Sequence, residues 1–296
     1  MAVDRISDLP DEILCHILSF LPTILAFTTT VLSMRWTPLF YLLTVLCFNF
    51  NDETVKNDNS FNHFCRFIDT LMLSPRGSNQ PIKTFNLNCL YSYRKLNSPS
   101  NVSLNPIILT SRTLVVILKL EDVKIQSNNL CVNLPSLKTL HFKYVSFKNK
   151  NDFLKLLNAC PIVQDLDASC NIYDEKIEEA KEFKSLSLSK LVRASISSID
   201  VPFTAIYNVE FLKSGWTSLS KDLECPFSAL ECVLSHLRPC TIVSFGGSDI
   251  PFATYILRNA RLLEVMKTDV STTFYGMQKH KIIEKLSTCP RICLRM

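Results

Sequence analysis

Glycine is scarce in this chain. Its 296 residues include five glycines, where average usage would give about twenty. Loops that cradle phosphate use glycine to bring backbone close to an anion. The shortage therefore weighs against a nucleotide-handling enzyme and favours regular elements joined by polar turns. Long apolar runs are missing too. The richest stretch, 24–50, is broken by Thr28-Thr29-Thr30, Arg35 and Asn49, short of the roughly 18 continuous apolar residues that a membrane span needs. No apolar leader precedes the first helix signal, so the twelve cysteines are expected in a reducing cytoplasmic or nuclear compartment, acting as small buried hydrophobes. A net charge of +5 is dispersed, with a mild concentration at Lys279, Lys281, Lys285, Arg291 and Arg295. No basic stripe interleaves with aromatics, and nucleic-acid binding is not expected. A chain that is 47% hydrophobic and 20% charged is not wholly disordered, and its length suits a substantial core or two domains.

Catalytic patterns are lacking as well. The histidines His16, His63, His141, His236 and His280 have no partner at ligand spacing. The tightest cluster, Cys225, Cys232, His236 and Cys240, has no Cys-x-x-Cys knuckle, so neither metal nor cofactor is expected. Cys289 and Cys293 lack a second pair and read as packing residues. Gly246-Gly247-Ser248-Asp249 is neither a nucleophile elbow nor a phosphate loop and reads as a tight turn. Glu178, Glu179 and Glu182 interleave with Lys176, Lys181 and Lys184, as on a solvated helix surface. Cys160 reads as a buried turn residue.

What is present is periodic. Asp8 and Pro10 mark a helix start, with Asp11 and Glu12 in its first turn. Ile13, Leu14, Ile17, Leu18 and Leu21 recur at helical spacing, and Pro22 is expected to end that helix. A second helical piece follows over 24–32, and a third from Ser33 carries Trp36, Leu39 and Phe40. Residues 51–62 read as a polar surface loop. Phe64, Phe67, Ile68, Leu71 and Met72 form another helical face, and 85–90 alternates like a strand. Residues 91–105 read as a connector. From 107 the pattern L-x-x-L-x-L recurs, as Val115-Leu118-Leu120, Leu137-Leu140-Phe142, Val163-Leu166-Ala168 and Leu191-Ala194-Ile196. The spacing lies in the leucine-rich-repeat range. A helix over 152–157 is predicted to pack behind the strands. Further on, 203–212 alternates, a strand is predicted at 227–234, a helix at 251–260, a strand at 262–266 and a last helix at 279–286.

The run Ile6-Ser7-Asp8-Leu9-Pro10-Asp11-Glu12-Ile13-Leu14, then Ile17-Leu18-Ser19-Phe20-Leu21-Pro22, then Val31-Leu32-Ser33-Met34-Arg35-Trp36 resembles a plant F-box motif. The runs 130–140 and 156–166 resemble the repeats, and 255–266 with 286–291 the FBD domain, of the plant F-box/leucine-rich-repeat/FBD family. The resemblance implies an α/β protein in which a short three-helix F-box module (1–50) precedes an irregular leucine-rich-repeat solenoid. Residues 51–106 would hold a linker and a shortened start of the repeat domain, 107–220 the repeats and 221–296 FBD-like repeats. It also implies a non-catalytic substrate-recognition adaptor of a cullin-RING ubiquitin ligase. The F-box would dock on a Skp1-like linker subunit, and through it a cullin, and the repeats would hold a protein substrate. Leu9 and Pro10 match the pair that contacts the linker subunit. Ile13 and Ile17 would extend that contact, joined by Arg35 and Trp36, while Leu14, Leu18 and Leu21 form the module core. Met34 stands where the family usually has lysine and Phe40 where it has tryptophan. The alternative is a degenerate F-box repeat protein acting only as a protein-binding scaffold.

Overall fold

A computed structural model describes residues 6, 8–50, 58–73, 81–89, 103–104, 109, 115–125, 131–172, 186–197, 201, 203–206, 208–215, 235–245, 249–270, 284 and 286–288. The first helix, α1 (Asp11–Ser19), starts behind Pro10, with Asp11 and Glu12 in its first turn. Carboxylates there face the positive end of the helix dipole. Leu14 and Leu18, one turn apart, are fully buried. Helix α1 stops at Ser19, and Pro22 does not end it but precedes α2 (Thr23–Thr28), where a fixed φ suits a helix start. The hydroxyls of Thr28, Thr29 and Thr30 donate to the carbonyls of Leu25, Ala26 and Phe27, each at 2.7 Å. These back-bonds accompany the tightening of α2 into a 3-10 turn (Thr29–Val31). Helix α3 (Trp36–Tyr41) buries Trp36, Leu39 and Phe40. Leu21, expected in this core, is 36% exposed because it lies beyond the end of α1.

The chain then forms β1 (Val45–Phe50), α4 (Asp58–Leu73), β2 (Thr84–Cys89), β3 (Ser103–Leu104), β4 (Ile117–Glu121), β5 (Lys124–Ile125) and β6 (Thr139–Phe147). It continues through α5 (Lys150–Asn158), β7 (Asp165–Ile172), β8 (Arg193–Ser197), β9 (Phe211–Ser214), β10 (Pro239–Phe245), α6 (Ile250–Asn259) and β11 (Val265–Val270). The strands make one sheet in the order β1-β2-β4-β6-β7-β8-β9-β10-β11. All its pairings are parallel, with β5 extending the line of β4 along β6 and β3 pairing β5. Strand order follows chain order, as in a solenoid whose units contact only their neighbours.

The four predicted L-x-x-L-x-L cores are all buried. Their register stacks Leu118, Leu140, Leu166 and Ala194 in one row and Leu120, Phe142, Ala168 and Ile196 in the next. Three more units obey the same rule and are not read as repeats from the sequence, although 85–90 reads as a strand. They are Leu43-Leu46-Phe48, Ile82-Phe85-Leu87 and Leu237-Cys240-Ile242, all buried. Burying one such leucine is worth about 1.5–3 kcal/mol, and only stacking provides the burial. Helix α5 covers the inward face with Phe153, Leu154, Leu156 and Leu157. It is capped by the Asn149 side chain, which accepts the Asp152 N–H at 2.8 Å.

Three side-chain-bearing residues occupy the left-handed region at matching repeat positions: Asp122 (φ 55°), Tyr144 (φ 55°) and Ser244 (φ 56°). Each inserts an extra residue, so Leu120 and Val123, Phe142 and Val145, and Ile242 and Phe245 all point inward. The glycine expected at such bends is absent here. Asp tolerates the conformation, and tyrosine is held there by parallel partners on both sides of β6. At Gly215 a Cβ would stand 2.7 Å from Ser197 Oγ, so any larger residue would have to displace that hydroxyl.

The helical module and the sheet are joined. Strand β1, assigned from sequence to the F-box module, is instead the first strand of the sheet. Its outer edge meets α2: the Cys47 N–H donates to Thr23 Oγ1 at 2.7 Å, and Thr23 is buried. A chain of edge-on and tilted ring contacts runs Phe40–Phe27–Phe67–Phe48–Phe85, with centroids 4.9–6.2 Å apart. It links α3 and α2 through α4 to β1 and β2.

Other boundaries differ from expectation. Helix α4 begins at Asp58, inside the predicted polar loop, and 103–104 pair as β3 inside the predicted connector. Residues 203–206 form a 3-10 turn rather than extended chain, and β11 starts at Val265 rather than at 262. The predicted strand at 227–234, the acidic segment around Glu178, the Gly246-Gly247 turn and most of the last helix lie outside the described residues.

Candidate functional site: an apolar helical face and a charged sheet face

Thirteen of the seventeen large apolar side chains exposed among the described residues lie at or before Val45. Such a concentration of exposed apolar side chains in one small module points to an interaction surface. Its origin is the helix periodicity. In α1, Leu14 and Leu18 turn inward, while Ile13 and Ile17 remain 46% and 39% exposed. Phe20, Leu25, Val31, Leu32 and Met34 extend the apolar exposure along the turn after α1, α2 and the α2–α3 connection. Sequence reasoning did not single these out as a surface. The available signal was a module apolar on more faces than three short helices can bury.

The individually named residues divide. Pro10 is exposed and Leu9 is partly buried against the core. Trp36 is only 6% exposed, so it is a core side chain rather than a rim contact. Arg35 is engaged internally: its Nε donates to Asp11 Oδ1 at 2.8 Å and its Nη2 to the Leu9 carbonyl at 2.6 Å. This clamp ties the 9–11 turn to the start of α3. Because both side chains are substantially exposed, the ion pair contributes less than about 1 kcal/mol, and its main effect is to orient Leu9 and Pro10.

The second surface is the open face of the sheet. Cross-strand register places Lys119, His141, Asp167, Ser195, Lys213, Thr241 and Lys267 in one row. A groove of about 330 Å³ opens over Ser195, with Asp167 and Lys213 on opposite sides. One wall is a stacked platform in which the Arg193 guanidinium lies 5.4 Å from the Phe211 ring centroid and 3.6 Å from Asp165. Flanking charges are paired: Lys143 with Glu121, which also accepts Asn88 Nδ2 at 2.9 Å, and Arg238 with Glu264 at 3.0 Å.

Chemistry at the cysteines is that of packing. Cys160 is fully buried with Sγ 3.1 Å from the Leu156 carbonyl, and burial pushes its thiol up to about 12. Cys240 lies inward in the sheet and is likewise pushed to about 12 by burial, whereas His236 is exposed in a turn. The fold does not present these two as a pair, and Cys225 and Cys232 lie outside the described residues. Among the described residues no group of three or more His, Cys, Asp or Glu could hold a metal ion. No described helix is long and apolar enough to cross a membrane.

Comparison with known proteins adds three matches along the chain. The F-box domain family matches residues 6–37, the Leucine Rich Repeat family residues 136–161 and the FBD family residues 226–267. An F-box/LRR-repeat protein of Arabidopsis thaliana is 30% identical over 346 aligned residues, covering 97% of this chain and 61% of its own length. A second F-box/LRR-repeat protein of Arabidopsis thaliana is 33% identical over 187 residues, covering 55% of this chain and 51% of its own. An FBD-associated F-box protein from the same plant is 30% identical over 198 residues, with 58% and 46% covered. The chain thus spans about half to three fifths of the length of these relatives. No solved structure matches it.

Proposed function

The chain belongs to the plant F-box/leucine-rich-repeat/FBD family, and on that premise we propose that it is the substrate-recognition adaptor of a cullin-RING ubiquitin ligase. The observation that carries the reading is the exposed apolar face of the helical module, which coincides with the F-box match. A Skp1-like linker subunit docks there, on Pro10, Ile13 and Ile17 with Leu9 at the edge, and brings the cullin. Arg35 serves as a positioning residue for Leu9 and Pro10, and Trp36 braces the same turn from inside. The sheet face takes a protein substrate. Residues 107–220 act as the repeats and 221–296 as the FBD unit, in the cytoplasm or nucleus.

Catalysis on this reading is by proximity. The adaptor supplies no nucleophile or base; it raises the effective concentration of a target lysine near the charged conjugating enzyme. Proximity works only if the two surfaces keep a defined relation. The Thr23–Cys47 hydrogen bond and the aromatic chain from Phe40 to Phe85 support that requirement.

The test is equilibrium binding of the purified chain to the linker subunit, repeated with Ile13→Ala/Ile17→Ala and with Leu9→Ala/Pro10→Ala. Each double variant is expected to weaken binding at least tenfold while the fold is kept. Binding unchanged in both variants refutes the assigned contact face. A second reading, a repeat scaffold that does not enter the ligase, is favoured by Met34, which is 93% exposed where the family usually carries lysine. It predicts no linker-subunit binding by the unaltered chain.

A further inference from the structure

We propose that the open sheet face reads an extended protein segment of alternating charge, in which a basic side chain sits on Asp167 and acidic side chains on either side reach Lys119 and Lys213. This deepens the substrate-binding half of the adaptor reading and rests on it.

The argument begins with register. Along the row that crosses the sheet, full charges fall on every second strand: the alternating set Lys119 on β4, Asp167 on β7 and Lys213 on β9, and then a further lysine, Lys267 on β11, outside the groove. The strands within the alternating set carry His141 and Ser195. None of its three charged side chains has an ion-pair partner among the described residues, in contrast to the paired Glu121, Lys143, Arg193 and Glu264 around them. A charge without a partner on a surface otherwise arranged in pairs is available to an incoming one.

Spacing limits the occupant. Neighbouring strands lie about 4.8 Å apart, so successive charges of the row are separated by roughly 9.6 Å, two strand spacings. A segment in the extended polyproline II conformation advances about 3.1 Å per residue with three residues per turn, so its residues i, i+3 and i+6 share one face at intervals of about 9.3 Å and match the row. The groove over Ser195 admits the segment between Asp167 and Lys213. Its Arg193–Phe211 wall has a guanidinium already satisfied by Asp165 and by the ring. A purely acidic or phosphorylated segment would meet Asp167 in the centre of its path and be repelled. A purely basic one would meet Lys119 and Lys213.

The experiment uses the full chain bound to its linker subunit and five fluorescent twelve-residue peptides. They have the fixed patterns acidic–x–x–basic–x–x–acidic, its inverse basic–x–x–acidic–x–x–basic, all acidic and all basic, together with a copy of the first bearing phosphoserine for its acidic residues and no basic one. The first pattern is expected to bind at least tenfold tighter than its inverse at low salt, with the advantage reduced by added salt. Asp167→Asn should remove most of that preference, and Asp167→Lys should transfer it to the all-acidic peptide. Equal binding of the first pattern and its inverse, or preference of the unaltered protein for the all-acidic or phosphorylated peptide, overturns the proposal. Linker-subunit binding is measured in the same samples. Its loss would count against the adaptor reading, and its persistence with no charge preference counts against this proposal alone.

Discussion

Replacing Thr23 by valine keeps the shape of the side chain and removes one hydrogen-bond acceptor. Thr23 is 2% exposed, and its Oγ1 accepts the Cys47 N–H at 2.7 Å. That N–H lies on the outer edge of β1, where no further strand is present among the described residues. The valine variant leaves this part-buried N–H without its side-chain partner, at a cost of up to about 1–3 kcal/mol. If the Cys47 amide exchanges by local opening, this converts to roughly 5- to 150-fold faster hydrogen exchange at that position. The global effect should be a lowering of Tm by about 2–4 °C for each kcal/mol lost. Hydrogen-exchange mass spectrometry with fragmentation that isolates Cys47 is the assay, with the Leu166 amide in the middle of the sheet as an internal reference. Thr23→Ser restores the acceptor and should restore most of the protection. An unchanged Cys47 rate in a folded valine variant refutes the reasoning. So does a serine variant that exchanges as fast as the valine one.

Leu18→Ala, at a fully buried position beside exposed Ile17, should cost about 2–5 kcal/mol in urea unfolding, whereas Ile17→Ala should change stability by less than about 1 kcal/mol; similar values would mean that α1 is docked on a different face. Burial, then the Glu121 carboxylate, push the Asp122 carboxyl from 3.8 up to about 6, against the pull of Lys143. Its folded value lies above its unfolded one, so the stabilisation it provides is full below about 3.8 and is lost as pH rises through about 6. Asp122→Asn keeps a residue that tolerates left-handed backbone. It should gain in stability relative to the unaltered chain between pH 4 and 7, followed by unfolding at each pH, and a constant difference would sink the assignment. In native alkylation, peptides carrying exposed Cys47 and Cys131 should label well before those carrying buried Cys160, Cys170 and Cys240, and equal rates would contradict the packing described.

Much of this protein was written along single strands and helices. Period-two burial is a local property, so Leu118 with Leu120 and Leu140 with Phe142 were legible as repeat cores from their spacing alone. The units at Leu43, Ile82 and Leu237 follow the same rule but lie farther in sequence from the nearest recognised core than neighbouring cores lie from one another, so no regular spacing marked them. The helical face of α1 was legible as apolar, but which of its residues turn inward depends on where α3 packs. Trp36 and Arg35 were assigned to a docking surface from motif position. Tertiary packing buries the first and ties the second to Asp11 and Leu9, because a tryptophan beside a small core is drawn into it and a guanidinium takes the carboxylate within reach.

The sequence by itself determined that a small helical module precedes stacked strand units, that turns are built with little glycine and that no catalytic set is spelled out along the chain. Only the tertiary structure decided that the sheet begins at Val45, that Thr23 and Cys47 join the two parts, and that Lys119, Asp167 and Lys213 share one row. The physical reason is that burial alternates within a strand, where neighbours in sequence suffice to reveal it. The neighbours of an outward side chain are instead set by parallel register between strands, and connecting segments of unequal length hide that register in the sequence.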